Sequence, residues 1–148
     1  MTDSQSPTKT LTNILLVEDN PADIRLTQEA FKETKQNIIL HVVRDGTEAL
    51  AFLRQTGRFT AVPRPDMILL DLNLPKKDGR QVLAEIKKTP DIKRIPIVIL
   101  TNSKAAEDIR QTYEHHANSY ITKPANLDEF MTVIKQIEQF WLSIVQLP

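Results

Sequence analysis

No cysteine occurs among the 148 residues. That excludes disulfides, thiol catalysis and thiolate metal centres together, and it accords with a reducing compartment, so a cytoplasmic location is expected. Glycine is almost as scarce, with only Gly46, Gly57 and Gly79, and no glycine-rich phosphate loop can be built from these three. Neither sign of charge is in excess, nineteen acidic side chains facing nineteen basic ones. Direct binding to nucleic acid or to an anionic membrane is therefore not expected. No run of about 18 apolar residues is available to span a bilayer, and the polar stretch Met1 to Thr12 lacks the apolar centre of a signal peptide. His41, His115 and His116 have no partner at zinc-ligand spacing and are read as structural.

What is present is an alternation. Asn13 to Val17 is an apolar run of strand length that stops at Glu18-Asp19-Asn20-Pro21. Asn20 can cap the backbone N–H groups of a helix that Pro21 starts, with Ile24, Leu26, Ala30 and Phe31 as its apolar positions. Strand-like runs recur at Ile38 to Val43, Met67 to Leu72, Ile97 to Leu100 and Ser119 to Thr122, each followed by helical spacing, while Arg58 to Pro65 reads as a connecting loop. Runs rich in Ile, Leu and Val without polar alternation belong to a parallel sheet covered on both faces. The fold expected is a doubly wound α/β domain with five parallel strands and five helices. The domain runs from 13 to 137, between a polar leader (1–12) and an apolar extension of the last helix (138–148). Ligands of such sheets gather beyond the carboxyl ends of the strands.

Those ends carry the chemistry. Glu18 and Asp19 follow the first strand and Asp71 ends the third, so three carboxylates share one rim. Crowded acids repel unless a hard cation sits among them, and Mg²⁺ suits a site of few carboxylates, a carbonyl and water. Each residue alone has a plainer reading: the acidic pair as a solvated strand end, Asp71 as a turn residue beside Pro75 and Asp78-Gly79. An acid at the end of so apolar a run must nevertheless be solvated, paired or functional, and carboxylates do attack phosphorus. Thr101 and Lys123 end the fourth and fifth strands and supply a hydroxyl and a fixed positive charge on the same rim.

Together, Glu18-Asp19, Asp71 with Pro75 and Gly79, Thr101 and Lys123-Pro124 resemble the receiver domains of two-component response regulators, over roughly Asn13 to Ile137. The resemblance implies that Asp71 is the phosphoacceptor, that Asp19, Asp71 and the backbone carbonyl of Asn73 bind Mg²⁺ with Glu18 assisting through water, and that Thr101 and Lys123 contact the phosphoryl oxygens. It also implies a flavodoxin-like sheet with the strand order 2-1-3-4-5, a switch made of Thr101 and Tyr120, and a cis bond before Pro124. The segments Glu18-Asp-Asn-Pro-Ala-Asp23, His116-Ala-Asn-Ser-Tyr-Ile-Thr-Lys-Pro124 and Phe140-Trp-Leu-Ser-Ile-Val-Gln-Leu-Pro148 further resemble the single-domain regulators of cyanobacterial phytochromes, which implies a phytochrome histidine kinase as partner. One departure is Asn102, larger than the small residue usual after the hydroxyl position, which narrows access to Asp71. Asn73 and Ser103 fall at positions the family uses to tune phosphoryl lifetime.

Three rivals stand against this reading. A haloacid-dehalogenase-like phosphatase also uses a strand-end Asp, but it needs a second acid two residues on, where this chain has Asn73, which cannot donate a proton in that way. A flavin-binding module lacks its loop. A receiver that has lost phosphorylation, working as a binding module, is the third. The protein is thus expected not to be an enzyme beyond its own phosphorylation and dephosphorylation. With no output domain expected after the receiver, the signal must leave through contacts with a downstream protein. In the last helix Leu127, Phe130, Met131, Ile134 and Ile137 are spaced to face the sheet. Beyond them Phe140, Trp141, Ile144, Val145 and Leu147 are too apolar to stay exposed, so a homodimer through this end is expected.

Overall fold

A computed structural model of the protein describes residues 11–33 and 37–144. Its elements alternate along the chain: β1 (Thr12–Val17), α1 (Pro21–Lys32), β2 (Ile38–Val43), α2 (Gly46–Arg54), β3 (Met67–Leu70), α3 (Gly79–Lys88), β4 (Ile97–Thr101), α4 (Ala106–Glu114), β5 (Ser119–Thr122) and α5 (Leu127–Ile137). The strands form one parallel sheet in the order β2-β1-β3-β4-β5. The doubly wound parallel sheet is the one expected from the alternation, and its strand order is the flavodoxin-like one that the resemblance implies.

Strand side chains point alternately to the two faces, and the helices divide accordingly. Leu15, Val17, Ile68, Leu70, Ile97 and Ile99 pack with Leu50, Leu53, Val82 and Ile86 of α2 and α3. Ile14, Leu16, Met67, Leu69, Val98 and Leu100 pack with Ile24, Phe31, Phe130 and Ile134 of α1 and α5. Every residue of β3 and β4 is buried, which is why these runs read as uninterrupted apolar sequence. Truncating one of them, such as Leu69→Ala, is expected to cost about 2–5 kcal/mol through the lost burial and the cavity left behind.

Helix starts follow their caps. Asn20 Oδ1 accepts from the backbone N–H groups of Ala22 at 2.9 Å and Asp23 at 3.1 Å, with Pro21 in the first turn as its fixed φ favours. Asp45 caps α2 through Glu48 N at 2.8 Å, and Asn126 caps α5 through Glu129 N at 3.1 Å. Ala105 offers α4 no side-chain cap, and Thr112 is the one residue of α4 that is buried.

Several expectations change in detail. β3 stops at Leu70, although Leu72 is still fully buried, because hydrophobic burial outlasts the ladder where the chain turns off the sheet. The connection 58–65 contains one turn of 3-10 helix, Gly57–Phe59. Asp78 and Gly79 form no tight turn but start α3, with Asp78 and Gln81 in a reciprocal capping box; the left-handed residue of this loop is Lys76, at φ 65°. Leu127 does not face the sheet: it is 55% exposed, since the first turn of α5 precedes the point where the helix meets its neighbours. The bond before Pro124 is trans, no peptide bond among the described residues being cis; the two isomers of such a bond differ little in energy. After α5 the chain continues through a π-helical stretch, Glu138–Ile144. The leader through Thr10, together with Val145 and Leu147, lies outside the described residues, as does the side chain of Ile144.

Candidate functional site

The parallel register sets the carboxyl ends of β1, β3, β4 and β5 side by side. Val17 pairs with Leu70, so Glu18 and Asp71 leave their strands at the same level. Thr101 pairs with Thr122, and Lys123 N donates to the Thr101 carbonyl at 2.7 Å. Asp71 N donates in turn to the Val17 carbonyl at 3.0 Å, holding the backbone under its carboxylate.

The ammonium of Lys123 reaches back across this rim into a group of three acids. Its Nζ lies 2.6 Å from Glu18 Oε1, 2.8 Å from Asp23 Oδ2 and 3.0 Å from Asp71 Oδ2. Glu18, Asp71 and Lys123 are buried, so these are charge-assisted contacts in a poorly solvated place. One cation is shared among three anions. Burial, with the charge of Asp71 beside it, pushes the Glu18 carboxyl up to about 7, even though the Lys123 ammonium works to lower it. Burial works to lower Lys123, but its bonds to Asp23 and Glu18 win and hold the ammonium above its ordinary range.

The remaining acceptor of the Asp71 carboxylate, Oδ1, takes a hydrogen bond from Asn73 N at 3.1 Å. Gly79 closes the site from behind. A Cβ on it would lie 2.3 Å from the Asp71 carbonyl oxygen and 2.6 Å from Leu72 Cα, so a side chain there would push directly on the backbone that carries Asp71.

Asp19 and Asn73, which follow β1 and β3, are both exposed. Among the described residues no three His, Asp or Glu side chains converge to make a metal cage by themselves. The donor set nevertheless fits a hard divalent cation: two carboxylates and a carbonyl, all oxygen, with water left to complete the shell. The acid excess around Lys123 is the charge such an ion would offset.

Thr101 is fully buried at the end of β4, and its Oγ1 lies 3.5 Å from Ser103 N. Tyr120 is half-buried, its hydroxyl donating to the Ser103 carbonyl at 2.9 Å. Asn102, next to Thr101 in the chain, is exposed. His41 stays structural, its Nε2 2.9 Å from Asn13 Oδ1.

Two features escaped the sequence reading. Asp23 enters the sequence analysis only as the last residue of the segment Glu18-Asp-Asn-Pro-Ala-Asp23, with no role of its own, 100 residues from the lysine it contacts. Arg80 of α3 drew no attention in the sequence, yet it pairs with Asp108 of α4, which also accepts from Ser103 Oγ at 2.5 Å. No local pattern signals either.

Residues 14–135 match the response regulator receiver domain family. The whole chain aligns with the response regulator Rcp1 of Synechocystis sp. at 52% identity over 148 residues, covering 99% of that protein. Among solved structures, the phosphorylated cyanobacterial phytochrome response regulator RcpA superposes with a TM-score of 0.92 at 55% identity, covering 94% of this chain and 99% of that one. The Mn²⁺-bound form of Rcp1 gives 0.90 at 53%, covering 93% and 99%.

Proposed function

This chain belongs to the response regulator receiver family, and on that premise we propose that Asp71 accepts a phosphoryl group from a histidine kinase, a phytochrome kinase in keeping with the phytochrome response regulator it resembles. The observation that carries the reading is the contact of Lys123 Nζ with Asp71 Oδ2 at 3.0 Å on a buried rim shared with Glu18. It pairs a carboxylate nucleophile with a fixed cation placed for phosphoryl oxygens.

In the reaction an Asp71 carboxylate oxygen forms a bond to phosphorus as the phosphorus–nitrogen bond of the phosphohistidine breaks. The imidazole nitrogen leaves with the electron pair and takes a proton from solvent. Lys123 and the Thr101 hydroxyl bond the phosphoryl oxygens, and Asn73 N–H holds the carboxylate for in-line attack. Asp19, Asp71 and the Asn73 carbonyl would hold Mg²⁺, with Glu18 acting through water; the ion, when bound, offsets the charge of the phosphoryl oxygens. Tyr120, bonded to the loop that follows Thr101, serves as the switch that carries the event to the outer face.

The chain catalyses its own phosphorylation and dephosphorylation and no other reaction. It acts in the cytoplasm and signals through a downstream protein, without contacting nucleic acid or membrane. Among the described residues no helix is long and apolar enough to cross a bilayer. Residues 13–137 make the receiver, and 138–148, with Phe140, Trp141, Ile144 and Val145, form a homodimer contact. The first test is intact mass after incubation with Mg²⁺ and acetyl phosphate. A phosphoryl adduct on the native chain and none on Asp71→Asn is the expected result, and a folded native chain without an adduct would overturn the reading.

A further inference from the structure

Lys123 is held from two sides besides Asp71. Glu18 contacts it from the end of β1, and Asp23 Oδ2 contacts it from the first turn of α1 at 2.8 Å. An ammonium has three N–H donors, and three carboxylate oxygens lie within 3.0 Å of Nζ. Donors and acceptors match in number, so the direction of each N–H depends on the other two.

Resting on the assignment of Asp71 as phosphoacceptor, we propose that Asp23 is a positioning residue for phosphoryl transfer: with Glu18 it fixes the Lys123 ammonium so that its remaining N–H points at Asp71 and at the phosphoryl group received there. When an Asp71 oxygen bonds to phosphorus, the N–H directed at Asp71 Oδ2 passes to a phosphoryl oxygen while the bonds to Glu18 and Asp23 persist. Without Asp23 the ammonium keeps Glu18 as its one anchor besides Asp71, and the donor loses its aim. Asp23 touches neither Asp71 nor the transferred group in this role, and acts only through Lys123.

Two other effects of Asp23 must be separated from this one. As an acid in the first turn of α1 it favours the helix dipole, and its negative charge opposes the approach of an anionic phosphodonor. Asp23→Asn removes the charge but keeps an oxygen acceptor, whereas Asp23→Ala removes both. Losing a charge-assisted hydrogen bond typically changes an equilibrium by roughly a factor of ten or more. With Mg²⁺ and acetyl phosphate, the Asn variant is therefore expected to gain phosphoryl mass about ten times faster than the Ala variant. The ratio should fall to about one when both changes are made in Lys123→Met, or in Lys123→Gln, whose amide keeps hydrogen bonds within the acidic group and protects its folding.

Rates are read by intact mass, with folding followed by circular dichroism. Equal rates for the Asn and Ala variants beside an intact Lys123 would overturn the proposal, as would a ratio that survives removal of the lysine. Absence of an adduct on the native chain would overturn both this inference and the assignment of Asp71. An adduct on the native chain with no Asn-to-Ala difference would sink this inference alone.

Discussion

Arg80 on α3 grips Asp108 on α4 with both prongs of its guanidinium, Nε to Oδ1 at 2.8 Å and Nη2 to Oδ2 at 2.6 Å. Planar pairing of this kind is the strong form of an ion pair. It matters here because α4 has no side-chain cap and buries only Thr112, so little else secures its first turn. Ser103, in the loop after Thr101, donates to the same carboxylate at 2.5 Å. One acid thus ties the start of α4 to α3 and to the loop that follows the β4 hydroxyl.

The pair should be visible in the acid limb of stability. The hydrogen bond from Arg80, then that from Ser103, lowers the Asp108 carboxyl from 3.8 to about 2. A depressed carboxyl contributes stability that is fully present above its unfolded pKa and is lost as pH falls through the folded one. Asp108→Asn is expected to be less stable than the native chain by about 1–2 kcal/mol at pH 7, with the gap closing between pH 4 and 2. Urea midpoints measured across that range check it; a gap independent of pH would mean that the contact works through shape rather than charge.

Gly79 is expected to tolerate no side chain. Gly79→Ala must move the Asp71 carbonyl or Leu72 Cα, both backbone atoms, and overpacking of this kind costs about 1–3 kcal/mol. Gly57 is the comparison: nothing lies near its would-be Cβ, and only its φ of +60° resists substitution, at a cost of about 1 kcal/mol. Gly57→Ala should keep the native rate of phosphoryl uptake, whereas Gly79→Ala should lose rate as well as stability. Parallel denaturation and intact-mass time courses separate the two.

The contrast shows where the sequence is legible. Apolar runs at β1, β3 and β4 announce a sheet buried on both faces, and Asp71 stands out as an acid at the end of such a run. Lys123 and Thr101 become meaningful through the same strand-end logic. Asp23 does not, because its helical position says only that it begins α1, and the 100 residues between it and Lys123 are bridged by the fold alone. Arg80 and Asp108 are likewise ordinary helix-surface residues until α3 and α4 are set side by side. Leu127 misleads for a related reason: helical periodicity marks an apolar stripe but not the turn at which the stripe first meets the sheet.

Tyr120→Phe tests the loop contact without touching the acidic site. The ring packs against the cluster under α2 and α3, and only the hydroxyl bond to the Ser103 carbonyl is lost. A loss of about 1 kcal/mol in stability is expected, with phosphoryl uptake unchanged because Tyr120 bonds neither Asp71 nor Lys123. A slowed uptake would instead show that this hydroxyl helps to hold the β4 loop in its reactive position.

The carboxyl-terminal end offers the last test. Phe140 is 52% exposed and meets Trp141 edge-on, with ring centroids 5.5 Å apart. Beside them a groove of about 420 Å³ runs between β5 and α5, lined by Tyr113, Ile121, Val133, Ile137 and both rings. Apolar surface gains about 25 cal/mol for each Å² withdrawn from water, so a second copy covering this groove would be held chiefly by the two aromatic residues. Phe140→Ser and a chain ending at Gln139 are both expected to lower the solution mass measured by sedimentation equilibrium. Because neither change reaches Asp71 or Lys123, phosphoryl uptake should survive in both. An unchanged mass in the shortened chain would remove the dimer role from this end and leave the groove as a surface of the monomer.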